Sequence, residues 1–343
     1  MSLAFMKQEN KRNSTNVKET SQKNKTTLER GISVIMCCYN STSRIKPTLE
    51  HLASQKLNPE IECEVIIVDN ASADNLKTTV DEIWNKCGNP FPLKIVFEPT
   101  SGIAFARRRG VECAKYAYGV FCDDDNWLAP NYLLKVIQIL DANPYIGIVG
   151  GCSTPVLEVD APACFYTRCH RLAIGVQAPF TGDVTHRGFL WGAGMGIRLE
   201  VLKSIYDAGV EPRSSGRKKD VLTSGDDMEL SSWFILARYR LWYDSNLRFQ
   251  HFIPKERLKD SYFEKFFETP QLGFHNIYGN YILIRYGVFN HPKKNKYFGI
   301  FSAFLRLKAF WYIVSRASPL DFIQISKFDR SIKALTNSSF SKS

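Results

Sequence analysis

Three consecutive carboxylates, Asp123-Asp124-Asp125, stand where an apolar run ends and a helix pattern begins. The run Tyr118-Gly119-Val120-Phe121 reads as a buried strand and Pro130-Asn131-Tyr132-Leu133-Leu134 as a helix start, so the acidic side chains are delivered to the edge of a sheet. Adjacent carboxylates repel one another unless a positive charge sits among them, and Mg²⁺ or Mn²⁺ prefers oxygen ligands of this kind. Alternation along a strand puts Asp123 and Asp125 on one side and Asp124 on the other, making the first and third the expected pair for a metal and a phosphate. The plainer use of such residues is an acidic turn that caps the following helix.

The elements that must position them repeat along the chain. Gly31-Ile32-Ser33-Val34-Ile35-Met36-Cys37-Cys38 is an apolar run closed by Tyr39-Asn40, and Glu64-Val65-Ile66-Ile67-Val68 is another, closed by Asp69. Each is followed by a helical pattern, as is the third run, Leu93 to Phe97, which leads through Gly102 into Ala104, Ala106, Val111 and Ala114. Continuously apolar strands alternating with helices predict an α/β fold with a mostly parallel sheet covered on both faces. Ligands of such sheets bind beyond the carboxyl ends of the strands, where Asn40, Asp69 and Asp123 all fall.

Composition narrows the class. The 343 residues, 44% hydrophobic and 13% aromatic, suffice for a sizeable core. Nine cysteines without a Cys-x-x-Cys spacing argue against a disulfide framework or a zinc site and for a reducing, cytoplasmic setting. The net charge of +11 is uneven. Residues 1–30 hold seven Lys/Arg against three acids and residues 285–343 eleven against two, so the body between them is slightly acidic. That distribution argues against a nucleic-acid substrate and for attraction of the chain ends to an anionic surface. No stretch of about twenty apolar residues predicts a membrane span, and the polar start of the chain does not read as a signal peptide.

The ordered series Ser-Val-Ile-x-x-x-Tyr-Asn from Ser33, Ile-Ile-Val-Asp-x-x-Ser from Ile66, Gly-x-Ala-x-Ala-Arg from Gly102, and then the Asp-x-Asp resembles the nucleotide-sugar half of glycosyltransferase family 2, with a GT-A fold. Downstream, Trp191-Gly192-Ala193-Gly194-Met195-Gly196 resembles the family's small-residue strand beside the acceptor, and Gly225-Asp226-Asp227-Met228-Glu229-Leu230 its Gly-Glu-Asp-x-Glu-Leu motif, with Asp226 in place of Glu. The resemblance covers residues 31–257, divided into a donor half, 31–130, and an acceptor half, 150–257. It implies donor contacts at Cys38, Tyr39, Asn40, Asp69, Arg107, Asp123 and Asp124, a Mn²⁺ or Mg²⁺ ion on Asp125 with Asp123 and His251, and acceptor contacts at Trp191 and Gly192. Asp227 matches the family's base, Asp226 being the alternative, in a single displacement that inverts the anomeric carbon. Each has a plainer structural use: a turn cap for Asp69, a solvated helix face for the arginines, an acidic helix start for Asp226 and Asp227, an ordinary buried site for His251.

The resemblance further implies a nucleotide-diphosphate sugar as donor, UDP favoured, and a saccharide or lipid-linked saccharide as acceptor, in cell-surface polysaccharide synthesis. A sugar nucleotidyltransferase is the enzymatic alternative, disfavoured because no Gly-rich phosphate loop with Lys follows the first strand. A non-catalytic sugar-nucleotide-binding scaffold is the other. The lead-in 1–30 is expected to be a polar tail, and residues 211–224 a mobile loop before the base. From 258 on a helical, basic and aromatic extension is expected, whose stretch 290–315 suits either packing on the body or an anionic membrane at the inner face of the cell.

Overall fold

A computed structural model of the chain describes residues 28–216, 225–268, 278–282, 298–317, 322–323 and 326–327. The tail 1–27, the second part of the predicted loop, 217–224, and the basic lead-in 283–297 lie outside the described residues. The first strands and helices fall where the apolar runs place them: β1 (Glu29–Cys38), α1 (Ile45–Ala53), β2 (Glu62–Asp69), α2 (Leu76–Lys86), β3 (Leu93–Phe97), α3 (Ile103–Cys113) and β4 (Tyr116–Phe121). Then come β5 (Asn126–Leu128), α4 (Tyr132–Ala142), β6 (Ile146–Leu157), α5 (Ala163–Arg168), β7 (Gly182–Asp183), β8 (Met195–Arg198), α6 (Leu199–Asp207), α7 (Asp226–Leu236), β9 (Arg240–Ile253) and α8 (Asp260–Glu268). The last long helix spans Phe298–Arg316.

One sheet runs β3-β2-β1-β4-β8-β6-β9-β5, with β7 pairing β9. The fold is α/β and the sheet mostly parallel: β1 pairs β2 and β4, β2 pairs β3, and β6 pairs β9, all in parallel. It is not parallel throughout, because β8 is antiparallel to both of its neighbours. A Cβ on Gly196 would meet Val136 of α4 at 2.6 Å, so this strand admits a helix packed tightly against it.

Both sheet faces are covered, which is why the central strands are almost continuously apolar. Ile35, Ile66 and Val68 face α3, α6 and α7 through Ala106, Leu199 and Trp233. Val34, Met36 and Val65 face the opposite layer of α1, α2 and α4 through Leu49, Val80 and Leu133. Burial of these side chains contributes about 1.5–3 kcal/mol each before conformational entropy is set against it. Beyond residue 257 the chain still packs on this body. Leu258 and Phe263 are buried with Phe165 and Ile253, and Tyr278 joins the α7 layer.

Candidate active site

A cleft of about 820 Å³ opens at the carboxyl ends of β1 and β4. It is floored by Asp123, Asp124 and Asp125 and walled by Arg44, Arg107, Arg257 and the Asp226-Asp227 pair.

The three carboxylates do not lie on a strand. β4 ends at Phe121 and β5 starts at Asn126, so residues 122–125 form a turn, closed by the Asn126 N–H donating to the Asp123 carbonyl at 3.0 Å. Strand alternation therefore does not set their directions, and each carboxylate goes to a different partner. Asp124 receives Arg44 twice, Nε to Oδ1 at 3.0 Å and Nη2 to Oδ2 at 2.6 Å, and accepts a hydrogen bond from Ser41. Thr48 donates to the Asp124 carbonyl at 2.8 Å, so this residue is tied to α1 by side chain and backbone together. Asp123 lies 3.9 Å from Arg107, and burial, opposed by that arginine, pushes its pKa up to about 6. Asp125, 3% exposed, has His251 Nε2 at 3.3 Å and Arg257 Nη1 at 3.0 Å. Burial alone would raise its pKa, but these two groups hold it well below the usual carboxylate range.

Sheet register brings His251 to this place. β5 pairs β9 antiparallel with Asn126 opposite His251, so a residue 126 positions away in sequence stands beside Asp125. The donor set suits a hard divalent ion. A carboxylate oxygen and an imidazole nitrogen 3.3 Å apart can ligate one cation, and the His251 Nδ1 is buried without a hydrogen-bond partner among the described residues. No cluster of three such side chains is assembled among the described residues.

Helix α7 supplies the opposite wall. Gly225 precedes it at φ 116°, a left-handed conformation that glycine adopts without strain, and the helix opens directly on Asp226 and Asp227. The two carboxylates are not equivalent. Asp226 is locked to Arg107 at 2.5 Å, and the guanidinium in turn lies over the Phe121 ring at 4.9 Å. Asp227 accepts hydrogen bonds from the backbone of Met228, at 2.8 Å, and of Gly192. Burial and the charge of Asp226 push its pKa up to about 7, against a lowering by Arg107. Gly192 must be small here, since a Cβ would stand 2.5 Å from Arg107 Nη2. Glu229, one turn on, accepts the backbone N–H groups of Arg213, at 3.1 Å, and Ser214, at 2.9 Å, fastening the start of the 211–224 loop to α7.

Of the remaining sequence-predicted residues, Cys38, Tyr39, Asn40, Trp191 and Gly192 line the cleft. Asn40 accepts from Ala73 N at 2.8 Å and stitches the β1 and β2 loops together. Asp69 does not line the cleft; its carboxylate accepts the Ser72 N–H at 2.9 Å, as a turn cap does. Its neighbour Asn70 lines the cleft instead and holds Gly102 N at 2.9 Å. Sequence reading missed Asn70, Arg44 and Arg257. Arg44 was findable: a cation at a helix N-terminus opposes the helix dipole and asks for a carboxylate partner. Nothing local marks Arg257.

The chain is similar to known glycosyltransferases. Residues 33–161 match the family described as Glycosyl transferase family 2. A Bacillus subtilis (strain 168) protein named as a glycosyltransferase, EpsH, is 29% identical over 107 residues, which are 31% of this chain and 29% of that one. The poly-beta-1,6-N-acetyl-D-glucosamine synthase of Staphylococcus epidermidis is 29% identical over 121 residues, 35% of this chain and 28% of its own. The chain thus spans less than a third of the length of these two relatives. The fold is shared with TarS 1-349 of S. aureus, whose crystal structure in complex with UDP-GlcNAc superposes with a TM-score of 0.52 at 16% identity, over 90% of this chain and 92% of that one.

Proposed function

Given that its donor half places the chain in glycosyltransferase family 2, with a GT-A fold, we propose that it moves a sugar from a nucleoside-diphosphate donor, UDP favoured, to a hydroxyl of a saccharide or lipid-linked saccharide, with inversion. The observation that carries this reading is the unequal pair on α7. Arg107 neutralises Asp226 and leaves Asp227, with its pKa near 7, able to take a proton at neutral pH.

In this reading Asp227 accepts the proton of the acceptor hydroxyl as its oxygen bonds to the anomeric carbon. The bond from that carbon to the diphosphate oxygen breaks, and the nucleoside diphosphate leaves with the electron pair. Asp226 holds Arg107 against the cleft wall. Asp125 and His251 would hold a Mn²⁺ or Mg²⁺ ion, which when bound stabilises the charge that grows on the leaving diphosphate. Arg107 and Arg44, each paired with a carboxylate, line the same cleft. Tyr39, Asn40 and Asn70 line the end of the cleft beyond β1 and β2, where the nucleoside is placed, and Trp191 and Gly192 the acceptor side. UDP is favoured because the TarS structure holds UDP-GlcNAc and the S. epidermidis relative is named for a poly-N-acetylglucosamine product.

The domain plan that fits is a catalytic body, 31–257, with an extension that packs on it and presents a surface helix. Among the described residues no helix is long and apolar enough to cross a membrane. Helix Phe298–Arg316 buries Ala309 and Ile313 and leaves Phe304, Leu307, Phe310, Trp311 and Val314 about half exposed, beside the cations Arg306, Lys308 and Arg316. One face of this helix is buried, and the other, with its exposed aromatic side chains and cations, suits an anionic lipid surface.

The test of the donor reading is a thermal shift of the protein with UDP-, GDP-, CMP- and dTDP-sugars, each with Mn²⁺ and with EDTA. A ligand that binds only the folded state stabilises it by about 2.7 kcal/mol at a hundredfold excess over its Kd. The expected result is a metal-dependent shift with one nucleotide class, lost in Asp125→Ala; no shift with any donor refutes the reading.

A further inference from the structure

Arg257 sits on a short 3-10 turn, Lys255–Leu258, directly after β9. Its Nη1 donates to Asp125 Oδ2 at 3.0 Å, while Asn126 Nδ2, at 3.2 Å, and His251 Nε2, at 3.3 Å, take Oδ1. Both oxygens of the expected metal ligand are thus in use. The other N–H donors of the guanidinium have no hydrogen-bond partner among the described residues, and the side chain lines the cleft. The turn itself is pinned: Lys255 N donates to Glu158 at 2.9 Å, Arg257 N to the Pro254 carbonyl at 2.9 Å, and Leu258 is 4% exposed. Movement is left to the long side chain.

The cleft is already charge-paired. Arg44 serves Asp124, Arg107 serves Asp226 and Arg257 serves Asp125. A divalent ion arriving alone at Asp125 would meet a guanidinium on the same carboxylate, and two cations at that distance repel. A diphosphate supplies the anions both need, and the planar fork of an arginine matches phosphate oxygens well.

We propose that Arg257 is the resident counter-cation of Asp125, exchanged for the divalent ion when the donor binds, and that its released N–H groups then hold the donor's diphosphate. Metal and donor consequently bind as a pair, each raising the affinity for the other by the same factor. The inference rests on the donor reading given above.

The experiment measures Mn²⁺ binding to the full chain without nucleotide, from the paramagnetic resonance signal of free Mn²⁺, and then UDP, GDP and UMP binding at saturating Mn²⁺ by calorimetry. Arg257→Gln is expected to bind Mn²⁺ alone about tenfold more tightly than wild type and UDP with Mn²⁺ about tenfold more weakly, with UMP changed by less than about threefold. Arg257→Lys keeps the charge and is expected to hold the wild-type affinity for Mn²⁺ alone, which separates exchange from damage to the turn. Unchanged or weaker Mn²⁺ binding by donor-free Arg257→Gln overturns the exchange, and an equal loss of UDP and UMP overturns the diphosphate contact. If wild type with Mn²⁺ binds neither UDP nor GDP, the donor reading itself fails and takes this inference with it, a result distinct from a wild type that binds and a variant that does not differ.

Discussion

Replacing Asp227 by Asn separates catalysis from stability, because the structure assigns this carboxylate a cost as well as a use. Its pKa is pushed up to about 7 from an ordinary 3.8, by burial first and by Asp226 second. A carboxyl raised in this way favours the folded state when protonated, and that advantage is lost as pH rises from the unfolded value through the folded one. At 1.36 kcal/mol per pH unit, ionisation of Asp227 in the folded protein costs about 4 kcal/mol at pH 8 and about 1–2 kcal/mol at pH 5. An amide carries no such cost. It does turn one acceptor into a donor beside the Met228 and Gly192 N–H groups, which takes back about 1 kcal/mol. The net expectation for Asp227→Asn is a gain of about 2–3 kcal/mol at pH 8 that falls to about zero at pH 5. A chain of this size moves by about 2 °C per kcal/mol, so the unfolding midpoint, followed by circular dichroism, rises by about 5 °C at pH 8 only. Turnover, read as nucleoside diphosphate released from the sugar donor, falls about 10²–10⁴-fold, while donor binding persists. In wild type, kcat/KM rises with pH through about 7, the limb on which Asp227 loses its proton. A variant that keeps its turnover within tenfold, or loses stability equally at both pH values, refutes the assignment.

Arg107→Ala leaves the Asp226 carboxylate in a largely buried place without its partner, so urea unfolding at pH 7 is expected to show a loss of about 3 kcal/mol, part of which Asp226→Asn restores in the double variant. Burial pushes the Glu229 pKa up to about 7 from 4.5, so wild type loses about 3 kcal/mol of stability as pH rises between those values; Glu229→Gln is expected to flatten that part of the pH–stability profile. Gly192→Ala places a methyl against Arg107 and is expected to cost about 1–3 kcal/mol of stability and to weaken donor binding with it, both read by thermal shift. Phe304→Glu with Trp311→Glu in the full chain removes two exposed aromatic side chains and adds two negative charges, so sedimentation with vesicles containing anionic lipid is expected to fall by more than about tenfold; unaltered sedimentation rejects the lipid-facing assignment of this helix.

The fold was legible because it rests on long, regular signals. The runs from Val34 to Cys38 and from Val65 to Val68 are apolar at every position, a pattern that a sheet covered on both faces favours. The antiparallel entry of β8 was not legible, since Met195-Gly196-Ile197-Arg198 says small and buried but not which way the strand runs. Within the cleft, residues at the ends of strong strands were readable: Asn40 follows β1, Asp123 follows β4, and both line it. Asp69 and Asn70 mark the resolution limit of that reading. Asp69 ends β2 and Asn70 follows it, and the turn there sends the Asp carboxylate to Ser72 and the Asn amide to Gly102, so only backbone geometry decides between them. The directions of Asp123, Asp124 and Asp125 went unread for the same reason: a turn has no period from which a face can be inferred.

The partners of those carboxylates come from far along the chain, and sheet register is what makes them reliable. Asn126 opposite His251 fixes the imidazole beside Asp125, and the next residues of β9 carry the chain to Pro254 and the turn that bears Arg257. Slipping the β5–β9 pairing by one residue would turn His251 to the other face and move the base of that turn with it, so both groups on Asp125 would be lost together. The short strand β5 has only three residues with which to hold this register. It is held more widely by β6, whose parallel pairing with β9 continues from Cys152 to Leu157 and sets Pro155 opposite His251. The stacking of His51, Trp127 and Phe252 adds a second constraint across the β5–β9 pair, with successive ring centroids 5.8 and 5.9 Å apart. The half of the site that lacks a local sequence motif is therefore the half with the most redundant structural support.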